Sequence, residues 1–234
     1  MKTKMKTNHA LCGLISGLLL LAAGTHTAHG SVIVNGSFET GDFTGWTTTG
    51  ATSIQGSGFT APTNGSFQAL ATSGTGSVSA ASLAAFFGVG SLPGNGNGAA
   101  TEGSGFKQSF TLASASTLSF DYKLVTNEAV GSGFDEIMYF DGSTNLLGSA
   151  NNAISGQGAA GFINGTPYAT VTLNLSAGTH TIGFAAYDTG DTVVDSGIVI
   201  DNVSLEAVPE PGTALFGFAC VGVAALRRRR RSAV

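Results

Sequence analysis

From Thr117 to Val125 the chain alternates cleanly. Leu118, Phe120, Tyr122 and Leu124 fall on one face; Ser119, Asp121 and Lys123 fall on the other. A two-residue period belongs to a strand with one buried face. Ala169, Val171, Leu173 and Leu175 alternate with Thr170, Thr172 and Asn174 in the same way. Ser176-Ala177-Gly178 then supplies a turn, and Ile182 and Phe184 lead the next strand. Ile137 to Phe140 is a continuous apolar run stopped by the turn dipeptide Asp141-Gly142. Ile198 to Leu205 reads as the closing strand. One stretch differs: Leu83, Phe86 and Phe87 have helical spacing, with Ser79 placed to cap and Gly88 to terminate. The spacing predicts a short helix over 79–88, and Gly94 to Gly98 a loop. There is no long internal repeat. Many short strands with Gly-rich turns predict an all-β fold, an antiparallel jelly-roll β-sandwich with one short helix.

The two chain ends have a different pattern. Lys2, Lys4 and Lys6 precede a 13-residue apolar stretch, Leu11 to Ala23, and Ala28-His29-Gly30 places small residues before Ser31. That order is a secretory signal peptide, 1–30, with an apolar helix too short to span a membrane comfortably. The weaker alternative is a buried N-terminal helix. At the other end, Val208, Pro209, Glu210 and Pro211 lead into the 15-residue apolar run Gly212 to Leu226, then Arg227, Arg228, Arg229, Arg230 and Arg231. A helix of that length reaches roughly 22 Å, short of the roughly 30 Å hydrocarbon core, though arginines can snorkel. Five arginines are a cytoplasmic stop, which leaves the intervening domain outside the inner membrane. The weaker alternative is a core helix with a basic tail. The organisation expected is a signal peptide, a domain over 31–207 and a C-terminal hydrophobic segment over 208–231.

The tail resembles the PEP-CTERM sorting signal of exopolysaccharide-producing Gram-negative bacteria, in the order of its Val208–Pro211 motif, apolar run and Arg227–Arg231 stop. The resemblance implies that an exosortase, a membrane transpeptidase, recognises the motif and processes the tail. The motif is then a recognition element, kept extended by its prolines. The domain carries a second resemblance. Asn35-Gly36-Ser37-Phe38-Glu39, with Gly45-Trp46, looks like the opening of carbohydrate-binding-module-like jelly rolls, and Ile200 to Leu205 looks like their last strand. Residues 62–70, 101–110, 118–128 and 191–203 resemble uncharacterised PEP-CTERM domain proteins. This implies a β-sandwich at the cell surface and no established reaction.

Charge narrows the partners. Only 10% of residues are charged, against about 25% in an ordinary chain. Between 31 and 207 only Lys107 and Lys123 oppose 13 acids, a formal −11. Such a surface repels phosphates, so no nucleic-acid partner is expected. Cys12 and Cys220 both lie in the terminal signals, so the domain has no disulfide, thiolate nucleophile or cysteine metal ligand.

Candidate chemistry is correspondingly sparse. His180 is the sole histidine of 31–207, and its phase with Ile182 and Phe184 gives it a structural place on a strand. No HExxH, GxSxG or P-loop pattern occurs. The remaining reactive groups are carboxylates: Glu102, Glu128, Asp135, Glu136, Asp188, Asp191 and Asp195. A glycosidase needs two, roughly 5 to 9.5 Å apart. Structural calcium is the favoured use, since hard oxygen ligands suit it. Two constellations qualify. One is Glu39 near Asp201, because first and last strands of such jelly rolls are neighbours; the phase of Asp201 with Val203 and Leu205 points it inward. The other is Asn127, Glu128 and Asp135 with the loop of Asp188, Asp191 and Asp195. The plainer alternatives are amide hydrogen bonds for Glu39 and Asp201 and solvent exposure for the rest. Trp46, Tyr122, Tyr139, Tyr168 and Tyr187 are the aromatics suited to sugar by type, with Trp46 expected in the core and Tyr122 buried.

These features predict a non-enzymatic protein, exported across the inner membrane and transiently anchored by its C-terminal helix. It would then reside at the cell surface or in the extracellular matrix. Its role would be structural or polysaccharide-binding, with exosortase and extracellular polysaccharide as partners. The alternative is a carboxylate-dependent glycan hydrolase, which would show two facing carboxylates in a concave cleft.

Overall fold

The computed structural model describes residues 33–208. The signal peptide, Pro209–Pro211, the apolar run and the arginines lie outside the described residues. The described elements follow in order as β1 (Thr47–Thr49), β2 (Thr52–Gly56), β3 (Phe67–Thr72), β4 (Val78–Ser79), α1 (Ala80–Phe87), β5 (Ala100–Leu112), β6 (Ser116–Thr126), β7 (Glu136–Phe140) and β8 (Thr144–Ser149). A 3-10 turn (Ala150–Asn152) leads to β9 (Ile154–Ala159), β10 (Phe162–Gly165), β11 (Ala169–Leu175), β12 (Gly178–Thr189) and β13 (Ser196–Ala207).

The strands form two antiparallel sheets. The first runs β1-β5-β12-β7-β8, with β4 also on β5. The second runs β2-β3-β13-β6-β10-β9, and β11 also pairs with β6, beside β10 on the same strand edge. The fold is the antiparallel β-sandwich that the alternating pattern predicts. Phe106, Phe110, Ile182, Phe184 and Ile137 of the first sheet meet Leu118, Phe120, Leu124, Ile198 and Ile200 of the second in one core. Trp46 belongs to this core, as expected: its ring lies 5.3 Å from Phe38 and 5.5 Å from Phe106. Phe184 in turn lies 4.8 Å from Phe120 across the sandwich.

The helix forms where predicted. Ser79 accepts from the Ser82 amide, and Gly88 closes the end at φ 75°. It covers the outer face of the first sheet, packing Leu83 and Phe87 onto Met138, Phe140, Ala185 and Tyr187. Close approach depends on glycine. A Cβ on Gly183 would lie 2.5 Å from Phe87 Cε1, and one on Gly105 3.0 Å from Phe87 Cζ. Two glycines, diagonal neighbours on β12 and β5, thus make the socket for one ring.

The outer face of the second sheet is also partly covered. Leu70, Val125 and Val199 pack beneath Phe59, Ala159, Phe162 and Tyr168. This cover buries Asp121 and Lys123, the polar side of the β6 alternation. Asp121 accepts from Thr170 Oγ1 at 2.5 Å and Asn202 Nδ2 at 3.2 Å. Lys123 donates to the carbonyls of Gln157 and Thr166 at 2.6 and 2.7 Å. Burial pushes its ammonium below the ordinary lysine value.

Asp201 requires a correction. It is fully buried, but it does not share the core phase of Val203. It follows Val199, which packs on the outer face, whereas Ile198 and Ile200 point to the core. Between Asp201 and Ser204 the register shifts, and Asn202 adopts φ 53°. The bulge reverses the phase, so Val203 and Leu205 return to the core.

Candidate functional site

A cavity of about 380 Å³ opens at one edge of the sandwich. Tyr122 and Leu124 of β6, Ile137 of β7, and Leu147 and Gly148 of β8 form its lining with Asn152 and the Thr166–Ala169 connection. The strand phases explain it. Tyr122, Leu124 and Ile137 all point between the sheets. Ala169 opposes Tyr122 in the β11–β6 ladder and has the phase of Val171 and Leu173, yet it is exposed. The volume is at the small end of the roughly 300–1,000 Å³ range of small-molecule sites, and an apolar floor with a few polar groups is their usual make-up. No Asp or Glu lines it. Of the tyrosines named from sequence, Tyr122 faces this cleft half-buried. The Tyr168 hydroxyl donates to Gln68 Oε1, and its ring lies 5.9 Å from Lys123 Nζ. The Tyr187 hydroxyl donates to Pro93 O at 3.1 Å.

The outward strand faces of both sheets carry hydroxyl pairs, away from the cleft lining. Ser109 meets Thr181 at 2.7 Å and Thr111 meets Thr179 at 3.2 Å on the first sheet. Ser119 meets Ser204 at 2.9 Å and Thr117 donates to Asn174 at 3.3 Å on the second. These are cross-strand pairs of short polar groups on strand faces.

The predicted acidic residues separate into three groups. Glu39 and Asp201 hold one turn. Glu39 Oε1 accepts from the amides of Ser66 and Phe67, both at 2.8 Å. Asp201 Oδ2 accepts from the amides of Thr63 and Asn64, both at 2.8 Å, and from Thr63 Oγ1 at 3.1 Å. Its Oδ1 accepts from the Asn202 amide at 2.6 Å. Burial raises the Asp201 carboxyl above its ordinary value, and these donors pull it partly back. Asn35-Gly36-Ser37-Phe38-Glu39 forms turns instead of a strand, and Gly36 O accepts from Val203 N at 3.0 Å.

The second group lies between the sheets. In the β12–β7 ladder Tyr187 opposes Glu136, so Asp188 and Asp135 stand one step further on. Asp188 continues the inward phase of Ile182, Phe184 and Ala186; Asp135 continues that of Ile137. Both are buried, at 0% and 1% exposure. Opposite them, Thr126 and Ser196 continue the inward phases of Leu124 and Ile198. Ser196 Oγ donates to Asp135 Oδ2 at 2.7 Å and lies 2.6 Å from Thr126 Oγ1. Neither carboxylate oxygen of Asp188 has a hydrogen-bond partner. Ser73 is beside it, but that hydroxyl contacts Ser196 N and O. Burial pushes both carboxyls well above the ordinary aspartate range; Asp135 raises Asp188 further, whereas contact with the Asp188 carboxyl pulls Asp135 partly back. Glu128 adds to the effect on Asp135, and Asp195 to that on Asp188.

The third group is not brought into this site. Asn127 donates to Gly161 O at 3.0 Å and accepts from the Ile163 amide at 3.0 Å. It therefore fixes the β9–β10 hairpin. Asp191 is exposed and accepts from Val193 N at 3.0 Å. Glu136 accepts from the Asn95 amide at 2.6 Å under the 93–97 loop, its second oxygen buried without a partner. His180 lies on β12 with its Nε2 2.8 Å from Ser176 O. Among the described residues, no three Asp, Glu, His or Cys side chains converge as metal ligands. No described helix is long and apolar enough to cross a membrane.

Sequence placed Asp188 in a loop, whereas β12 extends to Thr189. The available signal was phase: 182, 184, 186 and 188 form one inward series, and 126 and 196 extend two others.

No family model matches the chain, and no curated protein is similar to it. Comparison with solved structures finds distant likenesses over most of the chain. A cleaved adhesin domain of Lys-gingipain from Porphyromonas gingivalis is 19% identical over 74% of this chain and 96% of its own, with a TM-score of 0.45. A family 61 carbohydrate-binding module, solved with β-1,4-galactotriose, is 12% identical over 76% of this chain and 99% of its own, at 0.41. A family 28 carbohydrate-binding module specific for non-crystalline cellulose is 15% identical over 76% and 97%, at 0.40. Similarity at this level says nothing of shared function.

Proposed function

We propose that this chain is an exported surface or matrix protein that binds extracellular polysaccharide at the edge cleft. The cleft carries this reading: an apolar floor with Tyr122 half-buried at its side, polar groups at its rim and no carboxylate in its lining. Tyr122 offers a ring face and a hydroxyl to a sugar, which is apolar on its C–H face and polar at its edge. Asn152 and Thr166 in the lining supply the polar groups that hydrogen bonding to a sugar requires. A glycan hydrolase would place two carboxylates across a cleft; the buried pair Asp135 and Asp188 lies between the sheets and lines no part of this one.

Delivery rests on the two terminal segments. The signal peptide takes the domain across the inner membrane, the C-terminal apolar run holds it there, and exosortase recognises Val208–Pro211 and releases it to the surface. Val208 is exposed, and its amide donates to Ala115 O at 3.0 Å. The described fold therefore ends where the motif begins. The test is gel retardation of the purified protein by polysaccharide from the producing cells. Retardation that free oligosaccharide reverses supports the reading; unchanged mobility overturns it.

A further inference from the structure

We propose that Asp135 and Asp188, with the facing hydroxyls of Ser73, Thr126 and Ser196, hold one calcium ion between the two sheets. Two carboxylates at a dry interface need a counter-charge. No cation of the described residues supplies it, since Lys107 and Lys123 donate to the carbonyls of Phe86, Gln157 and Thr166. Asp188 is the independent observation. It is fully buried, both its oxygens lack a partner, and its strand phase aims it at the hydroxyl row of the second sheet. A bound ion satisfies those oxygens, the charge and the hydroxyl lone pairs together.

The donor set selects the ion. All donors are oxygen, from carboxylate and hydroxyl groups, which suits a hard cation. Only two are carboxylates at the centre, with Glu128 and Asp195 beside them. Calcium fills such irregular shells with neutral oxygens and water, whereas magnesium demands near-octahedral geometry and retains its waters. The ion would join β7 and β12 of the first sheet to β6, β13 and the end of β3 of the second. It would close the sandwich at the end where the apolar core stops.

The proposal stands apart from polysaccharide binding, and its test contains no glycan. The full chain is stripped with EDTA and titrated calorimetrically with calcium chloride. One ion should bind per chain and raise Tm by about 5 °C or more at calcium 100-fold above its Kd. Asp188→Asn should abolish binding while keeping the metal-free fold, because it removes a buried charge without changing shape. Ser196→Ala keeps both carboxylates and should weaken binding about tenfold or more. Glu39→Gln, at the other acidic site, should bind as the wild type does. Absence of binding by the wild type would overturn the proposal, as would tighter binding of magnesium. So would calcium binding that survives Asp188→Asn or disappears in Glu39→Gln.

Discussion

Glu39 and Asp201 hold opposite ends of the same turn, Glu39 through the amides of Ser66 and Phe67 and Asp201 through those of Thr63 and Asn64. The segment after β2 is thereby fastened to the N-terminal turns and to the last strand. Asp201 is buried and Glu39 exposed, so their contributions differ. Asp201→Ala should cost about 2–4 kcal/mol in urea unfolding, since it strands buried donors. Glu39→Ala should cost about 1 kcal/mol. The double variant should fall short of the sum, because one turn is released in both cases.

Gly183 and Phe87 should prove equally coupled. The Gly183→Ala methyl would enter the space of the Phe87 ring and be held by the β5 backbone behind it. The expected loss is about 1–3 kcal/mol. Hydrogen exchange should show the loss concentrated in α1, with the core strands β6 and β13 still protected. Uniform loss of protection would show that the helix is not a separate layer.

Lys123 gives the protein an alkaline pH response. Its folded value is lowered by burial, so between that value and its ordinary 10.5 the folded chain has released a proton that the unfolded chain retains. Stability contributed by this group therefore rises with pH in that window. The difference in Tm between wild type and Lys123→Met should grow in favour of the wild type as pH climbs towards 10.5. A constant difference would contradict the burial of the ammonium.

The tail proposal predicts a sorting phenotype. Replacing Pro209, Glu210 and Pro211 by alanine should leave export intact and keep the protein in the inner-membrane fraction. Deleting residues 209–234 should release the domain folded, because the described sandwich closes before Pro209. Wild-type release of the alanine variant would remove the motif from sorting.

Much of the sandwich was legible because its strands alternate without interruption. Leu118 to Leu124 and Val171 to Leu175 repeat every second residue, and the Ser79 and Gly88 caps bound the helix. Asp201 was misplaced because a bulge is a local backbone event. Asn202 in the left-handed region reverses the phase within two residues, and nothing in the side-chain pattern marks it. The burial of Lys123 was hidden for a different reason. It depends on the β9–β10 hairpin and Tyr168 folding over that face, which are contacts distant in sequence. The edge cleft was illegible for the same cause, since its walls come from residues 122–169 on both sheets.

The central claim is that polysaccharide binds beside Tyr122, and it is tested by filling that space. Ala169 is exposed, faces Tyr122 across the ladder and carries no structural hydrogen-bonding side chain. Ala169→Trp should leave Tm within about 1–2 °C of wild type and weaken polysaccharide affinity at least tenfold, about 1.4 kcal/mol. Unchanged affinity in a folded Ala169→Trp protein would place the binding surface elsewhere and contradict the account.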